Sequence, residues 1–133
     1  MGFTHLHVHT EYSLLDGVNK SYYLFERVKE LGMTSVAISD HGVMHGIPEF
    51  WKTSKDFGVK PILGCEIYLS PKEMTLRKEV DGLKYYHLLL LAKNRTGYLN
   101  LVKLVSESHL RGMYYKPRVD RETLAKYSEG LIC

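Results

Sequence analysis

The chain has few cysteines, no long apolar run and almost no charge bias, and each shortage removes a class of function. Two cysteines in 133 residues, Cys65 and Cys133, supply no disulfide framework, and no signal-like apolar run follows a basic start. A reducing, cytoplasmic location without a disulfide is therefore expected. No stretch nears the roughly eighteen consecutive apolar residues of a membrane helix. Eighteen basic residues against fifteen acidic leave a net charge of +3, with the signs interspersed, so charge permits a nucleic-acid contact without pointing to one. Internal repeats and low-complexity segments are missing too. What remains is ordinary: 44% hydrophobic and 25% charged residues, enough for a packed core. At this length the chain is one domain or part of one, since a complete α/β barrel takes about 250 residues.

Hydrophobic periodicity divides the chain into alternating strands and helices. Residues 3–9 read as a strand in which His5, His7 and His9 line one edge while Leu6 and Val8 pack behind it. A polar turn over 11–17 leads to a helix starting near Asn19 or Lys20, with Leu24, Val28 and Leu31 at helical spacing and Gly32 as its stop. The β-branched run 35–40 predicts a buried strand ending at Asp40-His41-Gly42. Pro48, then Phe50, Trp51 and Phe57 before Gly58, marks a second helix, and 62–69 reads as a third strand. Residues 70–84 are charged and aperiodic, an excursion from the core whose Asp81-Gly82 is a hairpin-turn signal. A fourth strand over 85–92 carries His87, and Tyr98, Leu101, Val102 and Val105 form the stripe of a third helix. Residues 111–118 are expected to form an ordered loop. Asp120 is a plausible N-cap for a short helix through Tyr127, and Leu131-Ile132-Cys133 looks like a strand cut short. Strands alternating with helices predict βα units around a parallel sheet, and a barrel is favoured because polar residues follow several different strands.

Six of those polar residues are candidate metal ligands: His7, His9, Asp16, His41, Glu66 and His87. Two imidazoles two residues apart on one strand face can grip one divalent ion at about 2.0–2.1 Å each. Asp16-Gly17 alone reads equally as a turn. Asp40, beside His41, is a candidate for orienting an imidazole from behind it. Glu66 differs, because a carboxylate inside Ile62-Leu63-Gly64-Cys65-Glu66-Ile67-Tyr68 is costly to bury unless paired or bound to metal. Cys65 alternates to the opposite face and reads as packing. His87, ahead of four leucines, has a milder form of the same problem. His5, His45 and His109 fall outside the pattern and are read as structural, and the tyrosine pairs as packing rather than base stacking. Histidines mixed with carboxylates favour zinc, manganese or iron over magnesium or calcium. Two or three such ions activate water and neutralise a phosphoryl group, so the chemistry indicated is phosphoester hydrolysis.

The order His7-x-His9, Asp16-Gly17, Asp40-His41, Gly64-x-Glu66 and His87 resembles the successive motifs of the polymerase-and-histidinol-phosphatase (PHP) family. That resemblance implies a distorted seven-stranded (β/α) barrel, up to three divalent metals such as zinc or manganese, and a residue matching Glu66 that bridges two of them. Asp16 and His41 become the candidate catalytic residues. Segments unrelated to metal binding narrow the likeness: residues 11–17, Lys93-Asn94 with Gly97-Tyr98 and Asn100-Leu101, and residues 114–118 are similar to the amino-terminal PHP domain of bacterial replicative DNA polymerase III alpha subunits. The likeness is to the shorter class without an inserted exonuclease.

Such a resemblance implies a longer protein that synthesises DNA through a palm domain outside this sequence, with DNA and replisome subunits, including a proofreading partner, as its partners. The PHP segment would contribute scaffolding and a metal-dependent 3′–5′ exonuclease. A later histidine and an Asp-x-His pair of the family pattern do not fall within residues 1–133. The sequence therefore reads as an amino-terminal portion of the barrel, with reduced or absent metal and no activity alone. Its open sheet edges favour self-association or domain swapping. The competing readings are a free-standing PHP phosphatase acting on a small phosphomonoester and a non-catalytic scaffold.

Overall fold

The structure is a computed structural model that describes residues 2–133. Its order is α1 (Ser21–Glu30), β1 (Ser35–Ile38), α2 (Ile47–Phe57), β2 (Lys60–Leu69), β3 (Tyr86–Ala92), α3 (Arg95–Arg111), β4 (Met113–Tyr114), β5 (Lys116–Val119), α4 (Arg121–Lys126) and β6 (Leu131–Ile132). The long central strand β2 organises the sheet. Its first half pairs in parallel with β1, Ser35 opposite Lys60 through Ile38 opposite Leu63. Tyr68 and Leu69 pair in parallel with Arg118 and Val119 of β5, so β1 and β5 share one edge in succession. The other edge carries β3, and here the all-parallel expectation fails: β2 and β3 run antiparallel from Gly64 opposite Leu91 to Leu69 opposite Tyr86. β6 adds antiparallel to β3. The sheet is mixed, as in part of a distorted barrel.

Two apolar clusters cover this sheet. Phe25 and Val28 of α1 meet Val36 and Ile38 of β1 and Phe50 of α2. Leu101 and Leu104 of α3 meet Cys65, Ile67, Leu90 and Val119. The apolar spacing of α1 and α3 thus marks the faces that pack, although Leu31, Trp51 and Val102 end on the exposed side.

Residues 3–9 depart from the strand expected there. The segment lies beside β1, where Ala37 N–H donates to His5 O and Ser39 N–H to Val8 O, each at 2.9 Å. Three residues on one chain match two on the other, so the regular ladder breaks as at a bulge. The Ser39 hydroxyl takes over, accepting from Val8 N–H at 2.9 Å and reaching Val8 O at 3.1 Å. Such a slip turns later side chains to the other face. His5 accordingly packs edge-on to Phe3, apart from His7 and His9. Val8 packs against the first core cluster, whereas Leu6 is 47% exposed.

Asp81 and Gly82 both adopt positive φ, 52° and 77°, and turn the chain between Val80 and Leu83, which bridge each other. Residues 111–118, expected as a loop, instead form the β4–β5 hairpin around Tyr115, with Met113 opposite Pro117 and Tyr114 opposite Lys116. Asp120 caps α4, accepting from Thr123 N–H at 2.9 Å and from Met74 N–H at 3.0 Å. Burial pushes its pKa up, but those two amide hydrogen bonds outweigh it and hold the carboxyl below its ordinary value. Asp120→Ala is expected to cost about 1–2 kcal/mol at neutral pH. Because the folded pKa is depressed, this contribution is complete above the unfolded value of about 3.9 and is lost as pH falls through the folded value. Unfolding titrations of both proteins between pH 7 and pH 2 should converge at the acid end.

Candidate metal centre

Glu66 sits midway along β2, its side chain only 8% exposed, with imidazoles around both carboxylate oxygens. Oε2 lies 2.6 Å from His7 Nε2, 3.1 Å from His9 Nε2 and 3.5 Å from His41 Nδ1. Oε1 lies 2.7 Å from His87 Nδ1. The sheet places each group: His41 bridges Glu66 in parallel register just beyond β1, and His87, opposite Tyr68 on β3, reaches across from the antiparallel side. His7 and His9 arrive from the segment flanking β1. His9 and His41 stack with ring centroids 4.2 Å apart.

Asp16 completes the ring from the 10–19 loop, with Oδ2 3.1 Å from His41 Nε2. Ser13 N–H and Gly17 N–H close this loop onto Thr10 O and Ser13 O. A side chain at Gly17 would run into the Thr10 carbonyl, so only glycine lets the chain pass beside His9 directly after Asp16. Ser13 Oγ accepts from His41 N–H at 2.8 Å, tying the loop to the histidine it serves. All six predicted ligands therefore converge, in three overlapping groups: His7, His9 and Glu66; His9, Asp16 and His41; and His41, Glu66 and His87.

Asp40 does not hold an imidazole. Its oxygens accept from Thr10 N–H at 2.6 Å and Thr10 Oγ1 at 2.7 Å, which pins the end of the histidine segment to the end of β1. Its influence on the centre passes through the backbone after His9. Thr10 and Ser13, both buried, tie the segments that carry the candidate ligands together, a link the sequence did not reveal; the signal was two hydroxyls between candidate ligand residues. Cys65 is buried as expected, and desolvation pushes its thiol to about 12. His109 reaches Gly42 O at 2.8 Å, a structural contact.

Electrostatics favour ligation. Burial raises the Glu66 pKa, but hydrogen bonding to His7 and to His87 helps to outweigh it and lowers the carboxyl below its ordinary value. Desolvation lowers the His41 pKa more than Glu66 raises it, which favours the neutral imidazole, the form that binds metal. His9 Nδ1 and His41 Nδ1 are buried without a hydrogen-bond partner, a costly arrangement in a protein interior. Two ligands about 2.0–2.2 Å from a tetrahedral ion stand about 3.3–3.6 Å apart, close to the wider spacings around Glu66. Mixed nitrogen and carboxylate donors, with orphaned ring nitrogens among them, fit divalent transition ions.

The sequence profile of the PHP domain family matches residues 5–133. The chain belongs to the PHP domain family. Two proteins named DNA polymerase III subunit alpha are similar to it over nearly its whole length: that of Treponema pallidum, 51% identical over 100% of the chain, and that of Borreliella burgdorferi, 50% identical over 98%. The chain spans 12% of the length of each. Among solved structures, a protein from Bifidobacterium adolescentis, provisionally described as a metal-dependent phosphoesterase, is similar with a TM-score of 0.57 and 26% identity over 79% of this chain and 32% of that one. An amidohydrolase from Chromobacterium violaceum, with a TM-score of 0.57 and 19% identity over the same shares, shares the fold. These barrel proteins agree with the partial barrel seen here. No helix among the described residues is long and apolar enough to cross a membrane.

Proposed function

We propose that this chain is the PHP segment of a bacterial DNA polymerase III alpha subunit, and that its centre holds divalent metal for phosphoester hydrolysis. Identity of about half across the chain to proteins of that name supports the first part. The observation that carries the second is the convergence of His7, His9, Asp16, His41, Glu66 and His87 into three ligand groups around one buried carboxylate. On this reading the complete protein synthesises DNA in the cytoplasm with replisome subunits, a proofreading partner among them. The PHP centre removes nucleotides from 3′ ends.

Zinc or manganese suits the donor set. When bound, such ions lower the pKa of water and neutralise charge developing on phosphorus. The chain's own residues do the rest. Glu66 presents one oxygen to His7 and His9 and the other to His87, so its carboxylate would hold metal together with imidazoles on both sides. Asp16 and His41, 3.1 Å apart, line the adjoining cleft, where substrate would enter. Tyr68 lines it too; burial pushes its phenol to about 12, so it remains a neutral donor. In the reaction, water oxygen bonds to phosphorus, the bond to the leaving alcohol breaks, and the alcohol oxygen takes up a proton.

The test is metal analysis and hydrolysis of a 3′-labelled oligonucleotide by the intact protein. Asp16→Asn and His41→Ala are each expected to lower bound metal and reduce hydrolysis by about 100-fold or more. Hydrolysis that survives both changes and chelation would mean that another site or a contaminant is responsible.

A further inference from the structure

The cleft beside the ligands is far larger than a phosphate needs. Its volume is about 520 Å³, within the range of about 300–1,000 Å³ typical of sites for drug-sized ligands. Asp16, His41 and His87 line it together with Lys116, Leu15 and Tyr85. Among the described residues that line it, Asp16 is the only carboxylate and Lys116 the only permanent cation. Among the described residues no carboxylate lies within 4 Å of the Lys116 ammonium. The group stands instead 5.6 Å from the centre of the Tyr68 ring, and Tyr68 stacks on His41 at 5.8 Å.

This placement is built into the fold. Gly42, immediately after His41, has φ +63°, and a Cβ there would come within 2.9 Å of both Pro117 and Tyr68. The hairpin residue next to Lys116 is thus seated directly on the loop that carries a ligand. Tyr115, at φ 60°, makes the turn that leaves Lys116 at the head of β5. A cation with no carboxylate partner that lines the same cleft as the candidate metal ligands is complementary to an anion held between them.

We propose that Lys116 is a positioning residue that anchors an anionic oxygen of a phosphoester whose phosphorus faces Asp16, His41 and His87. The organic part of that ester lies along Tyr85 and Leu15, the latter fully exposed at the cleft mouth. The substrate class is a phosphoester of a bulky, partly apolar alcohol such as a nucleoside, in preference to a small phosphomonoester. This rests on the hydrolytic reading above but is separable from it.

The experiment uses the intact protein loaded with manganese. Binding of inorganic phosphate and of thymidine 5′-monophosphate is measured by titration calorimetry, and hydrolysis of a thymidine dinucleotide by steady-state kinetics. The Lys116 side chain is exposed, so Lys116→Gln, which keeps most of the stem, tests the charge without risk to the core. Lys116→Gln is expected to leave bound metal unchanged, to weaken both ligands by about tenfold, and to raise KM by a similar factor with a smaller change in kcat. Lys116→Arg should restore most of the affinity, and Lys103→Gln on α3 should change nothing. Unchanged affinity and KM in Lys116→Gln would overturn the proposal, as would loss of metal in that variant. Lysine-dependent binding without hydrolysis would keep the anchor and remove the hydrolytic reading. Hydrolysis indifferent to Lys116 would do the reverse.

Discussion

Glu66→Gln is expected to empty the centre, with metal affinity falling by more than about 100-fold and hydrolysis falling with it. Altering a group that merely supports a ligand typically costs about 10–100-fold, and Glu66 sits among four imidazoles, three of them facing one oxygen and His87 the other. An amide of the same shape keeps one neutral oxygen, turns the other position into a donor, and removes the only buried anion of the cluster. The isosteric change also separates charge from packing, since the fold around β2 keeps its volume. Added metal should raise the melting temperature of the wild type, by linkage worth about 2.7 kcal/mol at a hundredfold excess over Kd, and should not move the variant. Glu66→Asp pulls both oxygens back by one methylene and should fall between the two. Full metal content in Glu66→Gln, measured by elemental analysis after dialysis, would contradict the arrangement.

Glu66 was legible because burial is written in its neighbours: a carboxylate flanked by Ile62-Leu63 and Ile67-Tyr68 has few inexpensive explanations. His7 and His9 were legible from alternation, although the backbone delivering them is not a regular strand. Strand direction was harder to read, because β2 and β3 are both apolar runs and such runs look alike whichever way they point. The overlooked clue lies between them. Residues 70–85 contain no helical period, and a parallel return ordinarily needs a crossover helix. The β4–β5 hairpin escaped because its turn residue is Tyr115 rather than glycine or asparagine, so no turn signal stands there. Asp40 was assigned toward an imidazole because it adjoins His41, but sequence adjacency says nothing about the 30-residue reach to Thr10.

Arg118→Ala is expected to be the most damaging change outside the metal centre, costing about 3–5 kcal/mol and lowering the melting temperature by roughly 10 °C or more. Charged residues are seldom buried alone, and nothing in the sequence sets this arginine apart from the other basic residues, yet its exposure is 0%. No carboxylate partners it among the described residues. Its guanidinium donates instead to four carbonyls: Gly112 O at 3.3 Å, Lys84 O at 3.2 Å, Met74 O at 3.1 Å and Leu76 O at 2.9 Å. Tyr114 lies over it at 4.7 Å. Three of those carbonyls belong to the 70–84 excursion, so one side chain supplies that aperiodic segment with the hydrogen bonds a helix or strand would otherwise provide. Burial lowers the pKa of Arg118, but an arginine remains charged in proteins, and the carbonyl dipoles offset its desolvation. Arg118→Met isolates the hydrogen bonds from the volume: it fills much of the space and donates nothing, so it should recover only the cavity portion of the loss. Arg118→Lys keeps the charge but offers three donors from a single point, too few and too compact for four carbonyls held apart by a planar fork. Early proteolysis within 70–84 should accompany all three changes. A variant with lysine or methionine as stable as the wild type would show that the excursion is held by Met74 packing and the Asp120 contact, and not by this guanidinium.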